Sequence, residues 1–181
     1  LGCGGGFMAE ALAQRGATVI GVDPVEAAVV AARAHAGEAG LAIDYRVGSG
    51  EAIPLADGSI DCVVCVDVLE HVADIDRVLD EIVRVLKPDG LFLFDTINRT
   101  MLAAFVIVQL GESVLRLLPR GTHDPAKFIT PAELNGKLVA RGLSVGPFVG
   151  LGPCGLNRRL DITFGRFPSV QIMYAGHARK G

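Results

Sequence analysis

Apolar positions along this chain follow two different periods. Ala17-Thr-Val-Ile-Gly-Val22 and Ile60 to Val66 are short, continuous apolar runs rich in β-branched residues, the pattern of strands buried on both faces. Ile75, Val78, Leu79, Ile82, Val83 and Leu86 instead recur at intervals of three and four, which predicts a helix from Asp74 to Leu86 with one apolar face. Phe7 to Arg15 reads as a helix ended by Gly16. After Pro24, an alanine-rich helix runs to Ala39 and stops at Gly40. Ala42 to Val47 is a third, shorter strand, followed by a loop over Gly48 to Ser59 that is rich in Gly and Pro. Lys87-Pro-Asp-Gly90 predicts a turn and Leu91-Phe-Leu-Phe94 a strand closing on Asp95. Thr130 as cap and Pro131 in the first turn start a helix to Arg141, and Leu143 to Val149 and Val170 to His177 are the last two strands.

Strand and helix alternating in this way predict an α/β fold of the doubly wound class, a mostly parallel sheet covered by helices on both faces. No repeat or low-complexity tract interrupts it. Ligands of such sheets lie beyond the carboxyl ends of the strands, so the residues just after each strand are the ones to examine.

Composition narrows the setting. The 181 residues (18.9 kDa) suit a single domain with a sizeable core. With 17 Lys and Arg against 20 Asp and Glu and half of the residues hydrophobic, there is no disordered charged tail and no basic footprint. Nucleic acid is therefore not an expected partner. Four cysteines in a chain of this length do not make a disulfide framework, which points to reducing, cytoplasmic surroundings. Cys62 and Cys65 form a CxxC, but within a continuous β-branched run their thiols should project from opposite faces of a strand, as core residues rather than redox or metal ligands. The chain opens at Leu1 on a glycine loop of the kind that normally follows a strand. The expectation is thus of an N-terminally truncated domain in which most of the first strand is missing.

Three places carry candidate chemistry. Gly2-Cys-Gly-Gly-Gly6 offers backbone for close approach to a ligand, and Asp23, about 20 positions on at the end of the next strand, can accept hydrogen bonds from ribose hydroxyls. In a dinucleotide fingerprint the residue after Gly2-x-Gly4-x-x would be small, yet Phe7 stands there. A nucleoside without a pyrophosphate fits better, and S-adenosylmethionine has the required form, its adenosine on Asp23 and its methionine part along Gly2 and Gly4. The loop from Gly48 to Ser59 can reach the adenine end, with backbone amides near Glu51 and Ala52 and an apolar wall at Ile53 or Leu55; otherwise it is a surface turn. Beyond the fourth strand, Asp67, Glu70 and His71 stand at i, i+3 and i+4. On one helical turn they would share a face and could hold a hard or borderline divalent cation, while acidic residues at a helix start need no metal at all.

Leu-Gly-Cys-Gly-Gly-Gly6, Asp-Gly-Ser-Ile-Asp61, Asp-Val-Leu-Glu-His71 and Leu-Lys-Pro-Asp-Gly90 together resemble the class I S-adenosylmethionine-dependent methyltransferases. Asn98-Arg-Thr100, Leu115-Arg-Leu-Leu-Pro-Arg-Gly-Thr-His-Asp124 and Lys127-Phe-Ile-Thr-Pro-Ala-Glu-Leu134 narrow the resemblance to the O-methyltransferases of ubiquinone biosynthesis, which act on polyprenyl catechols and demethylubiquinol. It runs from residue 1 to about 150; Gly152-Pro-Cys-Gly155 departs from the polar segment usual in that family.

The resemblance implies a seven-stranded Rossmann-like sheet with an antiparallel last strand, and cofactor contacts at Gly2, Gly4, Asp23, Glu51 and Val66. It also implies a divalent cation, Mg²⁺ by expectation, on Asp67, Glu70 and His71. Such a cation would polarise the catechol oxygen and lower its pKa; without it, His71 would serve as general base beside Glu70. Residues 99 to 128 would form an insert-like helical segment over the substrate. Met101-Leu-Ala-Ala-Phe-Val-Ile-Val108 is too short an apolar run to span a bilayer, which takes about 20 residues, but it could lie on the inner membrane face with Arg116, Arg120 and Lys127 near headgroups, or pack on the sheet. Other enzymes of the same pathway are conceivable partners. Two alternatives stay open: a methyltransferase with another quinone, a sterol or a small acid as acceptor, and a non-catalytic or NAD-binding doubly wound protein.

Overall fold

The computed structural model describes residues 1–114, 121–156 and 162–181. In chain order the elements are α1 (Phe7–Ala13), β1 (Ile20–Asp23), α2 (Glu26–Glu38), β2 (Asp44–Val47), β3 (Ile60–Cys65), α3 (Ile75–Val85) and β4 (Leu86–Ile97). Then come α4 (Met101–Ala104), continued by π-helical turns over Phe105–Val114, and α5 (Pro131–Val139). The chain closes with β5 (Leu143–Val145), β6 (Val149–Leu156), β7 (Ile162–Phe167) and β8 (Met173–Lys180). Arg116 and Arg120 fall outside the described residues.

Helix starts follow the local chemistry. Asp74, Thr100 and Thr130 each accept a hydrogen bond from the backbone N–H three residues on, capping α3, α4 and α5. The cap at Thr130 followed by Pro131 is the predicted one. The apolar stripe of α3 buries Val78, Leu79, Ile82 and Val85 against Val63 and Cys65 of β3, Phe92 and Phe94 of β4, and Leu134 and Leu138 of α5. A smaller core joins Ala9 of α1, Val29, Ala32 and Ala36 of α2, and Tyr45 of β2.

The strands β1–β2 and β3–β4 pair in parallel. The last strand, β8, runs antiparallel to β4, as expected. The balance of pairings differs from a mostly parallel sheet, because β5 and β6 also join β8 antiparallel and β6 and β7 form an antiparallel pair that the periodicity did not reveal. The Lys87–Gly90 turn survives inside β4 as a bulge, with Asp89 at φ 60: Ile60 pairs with Leu86, and the next pairing joins Cys62 to Leu91.

Among the described residues β1–β2 and the remaining strands form two sheets, with a cavity of about 640 Å³ between them that is lined by Ile20, Val22, Cys62 and Val64. Leu1 to Cys3 crosses this gap, the Leu1 amine donating to Val64 O at 2.8 Å and Cys3 N–H to Val22 O at 3.1 Å. Cys65 is a core residue as expected. Cys62 is not: it is exposed, on an edge of β3 that no other strand pairs with among the described residues.

Candidate active site

Asp23 ends β1, Val66 follows β3 and Asp95 lies within β4 close to its end, so one rim carries the candidate groups. Asp23 is buried, and its carboxylate joins two backbones: Oδ2 accepts from Gly4 N–H at 2.8 Å and Oδ1 from Val25 N–H at 2.9 Å. The glycine loop is thereby drawn onto the end of β1. Gly2 holds φ +66, and a Cβ there would lie 2.2 Å from Cγ2 of Val68. Loop and Val68 thus touch only because position 2 has no side chain. In front of Gly4 the space is open, since a Cβ would meet nothing within 4 Å. An open backbone rim beside a buried carboxylate with lone pairs to spare fits the ribose and methionine parts of S-adenosylmethionine.

Glu51, expected at the adenine end, is held by bonds within the fold. Its Oε1 accepts from Ala73 N–H at 3.1 Å and its backbone carbonyl accepts from Arg77 Nε at 3.2 Å. Burial works against the charged form, but backbone N–H donors of Glu51, Ala73 and Asp74 and the Ser49 side chain outweigh it and hold the carboxyl below its ordinary range. The side chain ties the 48–59 loop to the start of α3. Val66, half-buried, immediately precedes the acidic group.

The helical turn over 67–71 does not form. Asp67 takes φ 53, and a single turn follows in which His71 N–H donates to Val68 O at 2.9 Å. Asp67 N–H points across to Asp95, whose Oδ1 accepts it at 2.7 Å. Glu70 and His71 are brought together with His123, one ligand atom from each lying within 4.8 Å of the others; Asp67 is not a member of that group. Glu70 is 2% exposed; Oε2 accepts from the Thr96 hydroxyl at 2.8 Å, and Oε1 has no hydrogen-bond partner among the described residues. A buried carboxylate with one unpartnered oxygen, close to two imidazoles, is a donor set that suits a divalent cation.

Electrostatics at this point are unusual for carboxylates. Burial pushes Glu70 up against the pull of its backbone and Thr96 hydrogen bonds. Burial also pushes Asp95 up to about 7, helped by the negative charges of Asp67 and Glu70. His71 is held below its ordinary value by burial and by His123 and Lys127 nearby, so it stays neutral near pH 7.

His123, Asp95, Thr96 and Lys127 were missed as site residues. The rings of His71 and His123 are 5.1 Å apart, His123 and Phe128 6.5 Å, and Lys127 Nζ reaches His71 O at 3.4 Å. Phe128 is buried with Ile97 and Ala103, and Ile129 N–H donates to Ile97 O, which fixes this segment beside the end of β4. A signal for Asp95 existed in its place just after the predicted strand. For His123 there was the Gly-Thr-His-Asp run, but nothing local gave it a partner.

The family model described as a methyltransferase domain matches residues 1–94. A ubiquinone biosynthesis O-methyltransferase of Azorhizobium caulinodans is 42% identical over 151 residues, covering 83% of this chain and 60% of the relative. Another of the same description, from Agrobacterium fabrum, is 41% identical over 180 residues, 99% of this chain and 70% of the relative. The chain thus spans about 60% of the length of the first of these relatives. In fold, a solved S-adenosylmethionine-dependent methyltransferase from Methanosarcina mazei superposes with a TM-score of 0.72 at 20% identity, over 99% of this chain and 89% of that one.

Proposed function

This chain belongs to the methyltransferase-domain family and, within it, to the ubiquinone biosynthesis O-methyltransferases; on that premise we propose that it transfers a methyl group from S-adenosylmethionine to a catechol-type hydroxyl of a polyprenyl ubiquinone precursor. The observation that carries the reading is the contact between Gly2 and Val68, which sets the glycine loop closed by Asp23 against the turn that presents Glu70 and His71.

Asp23 and the backbone of Gly2 and Gly4 would hold the cofactor. S-adenosylmethionine, when bound, supplies a methyl group already activated on a sulfonium. The chain's own task is to bring a hydroxyl oxygen in line with that carbon and to remove its proton, as the O–CH₃ bond forms and the C–S bond breaks. Without a cation, His71, neutral near pH 7, can take the proton on a ring nitrogen, and the negative charge of Asp67 nearby favours the imidazolium that results. Glu70 and His71, with Asp67 as acidic neighbour, are the residues that would hold a divalent cation. Bound there, such a cation would supply Lewis-acid assistance by lowering the hydroxyl pKa.

The exposed apolar side chains Met101, Leu102 and Phe105 on α4 and its continuation support a peripheral position on the membrane in which a polyprenyl substrate resides. Among the described residues no helix is long and apolar enough to cross a membrane. Calorimetry tests the cofactor assignment. S-adenosylmethionine should bind, NAD should not, and Asp23→Asn should weaken binding at least about tenfold, the loss of a charge-assisted contact. NAD binding in preference to S-adenosylmethionine would return the chain to the NAD-binding alternative.

A further inference from the structure

We propose that His123 is a ligand of the divalent cation, completing a Glu70–His71–His123 site that ties the segment before α5 to the turn after β3. The proposal rests on the reading of a cation at Glu70 and His71 and goes beyond it in naming the third ligand and the kind of metal. Two independent observations carry it. One is the convergence of a carboxylate oxygen and two imidazole nitrogens within 4.8 Å of one another, His123 standing more than fifty positions from Glu70 and His71. The other is Glu70 itself, 2% exposed, with Oε1 lacking a hydrogen-bond partner among the described residues. A buried carboxylate oxygen without a donor is costly unless a cation or an ordered water satisfies it.

The supporting contacts hold His123 in place without the metal. Phe128 is buried and lies edge-on to the His123 ring, and Lys127 Nζ donates to the carbonyl of His71. Thr96 fixes the other oxygen of Glu70, as a partner behind a ligating carboxylate should. Two imidazoles and one carboxylate select borderline cations such as Zn²⁺, Co²⁺ or Fe²⁺, whereas an all-oxygen set would suit Mg²⁺. Asp67, whose carboxylate is not among the converging ligand atoms and whose backbone N–H is tied to Asp95, is the less suited third ligand.

Visible absorption of Co²⁺ titrated into the chain provides a readout independent of turnover. The expected result is a d–d spectrum with saturable binding, insensitive to a hundredfold excess of Mg²⁺ and displaced by Zn²⁺. His123→Ala and His123→Gln should each weaken Co²⁺ binding by more than the 10–100-fold typical of losing a supporting residue, and alter the spectrum. Glu70→Gln should do the same, while Asp67→Asn should change affinity by less than about threefold, within the scatter of a residue outside the ligand set. Far-UV circular dichroism of each variant establishes that it is folded, and the Gln substitution keeps bulk and polarity at position 123. Wild-type Co²⁺ affinity in both folded His123 variants, with binding still lost in Glu70→Gln, would overturn His123 as a ligand and leave the cation reading standing. Loss in Asp67→Asn with retention in the His123 variants would overturn it in favour of the acidic set. No saturable binding by the wild type, or binding indifferent to Glu70→Gln, would overturn both the proposal and the cation reading.

Discussion

Asp67 donates its backbone N–H to Oδ1 of Asp95 at 2.7 Å, a bond that links the turn after β3 to the end of β4 and accompanies the left-handed backbone of Asp67. Asp95 is 8% exposed, and burial together with the charges of Asp67 and Glu70 raises its pKa from 3.8 to about 7. The folded state therefore holds a proton that the unfolded state has released. This contribution is full below pH 3.8 and is lost as pH rises through about 7. Asp95→Asn keeps an acceptor for Asp67 and removes the titration. Urea unfolding from pH 4.5 to 8 should show the variant gaining on the wild type as pH rises, by on the order of a few kcal/mol across the window. Parallel profiles would contradict the assignment.

Thr96 is fully buried and satisfies one oxygen of Glu70. Thr96→Val preserves shape and leaves that oxygen without a donor, so unfolding in urea should show a loss of about 1–3 kcal/mol with an unchanged m-value. A difference below about 0.5 kcal/mol would mean that the bond contributes little.

Gly2→Ala tests the junction between cofactor loop and turn. Its φ of +66 and the 2.2 Å approach to Val68 Cγ2 force a shift of backbone or side chain, whereas Gly16, at φ +90, has nothing within 4 Å of an added Cβ. Gly16→Ala should therefore cost about 1 kcal/mol, from backbone conformation alone. Gly2→Ala should cost more than that and also weaken S-adenosylmethionine binding. Equal effects of the two on thermal stability and cofactor affinity would separate the loop from the site.

Phe105 is 59% exposed, on the π-helical continuation of α4, and Ile107 is half-buried two positions on. The double replacement Phe105→Ser with Ile107→Ser should reduce co-sedimentation with anionic liposomes several-fold, since each buried apolar side chain is worth about 1.5–3 kcal/mol. Unchanged co-sedimentation would argue that this face packs against protein instead.

Much of the fold was legible because burial imposes periods on sequence. The stripe of α3, the β-branched runs of β1 and β3 and the Thr130-Pro131 start of α5 all appear where local pattern placed them. The β6–β7 hairpin was not legible: Gly150, Gly152, Gly155 and Gly165 interrupt any alternation, and its pairing is decided between strands rather than along them. At the site, Glu70 and His71 could be chosen from spacing, but the helical turn meant to unite them with Asp67 is replaced by a tighter turn that no local propensity signals. His123 reaches them only through the course of β4 and the anchoring of Phe128, a tertiary relationship that leaves no mark in sequence spacing.

Catechol O-methylation itself is tested most directly by mass spectrometry of a polyprenyl catechol incubated with the chain and S-adenosylmethionine carrying a CD₃ group. The account predicts one CD₃ on a catechol oxygen, with the rate falling at least about tenfold in Asp23→Asn and in His71→Ala. Absence of label, label on carbon, or labelling that survives both substitutions would contradict it.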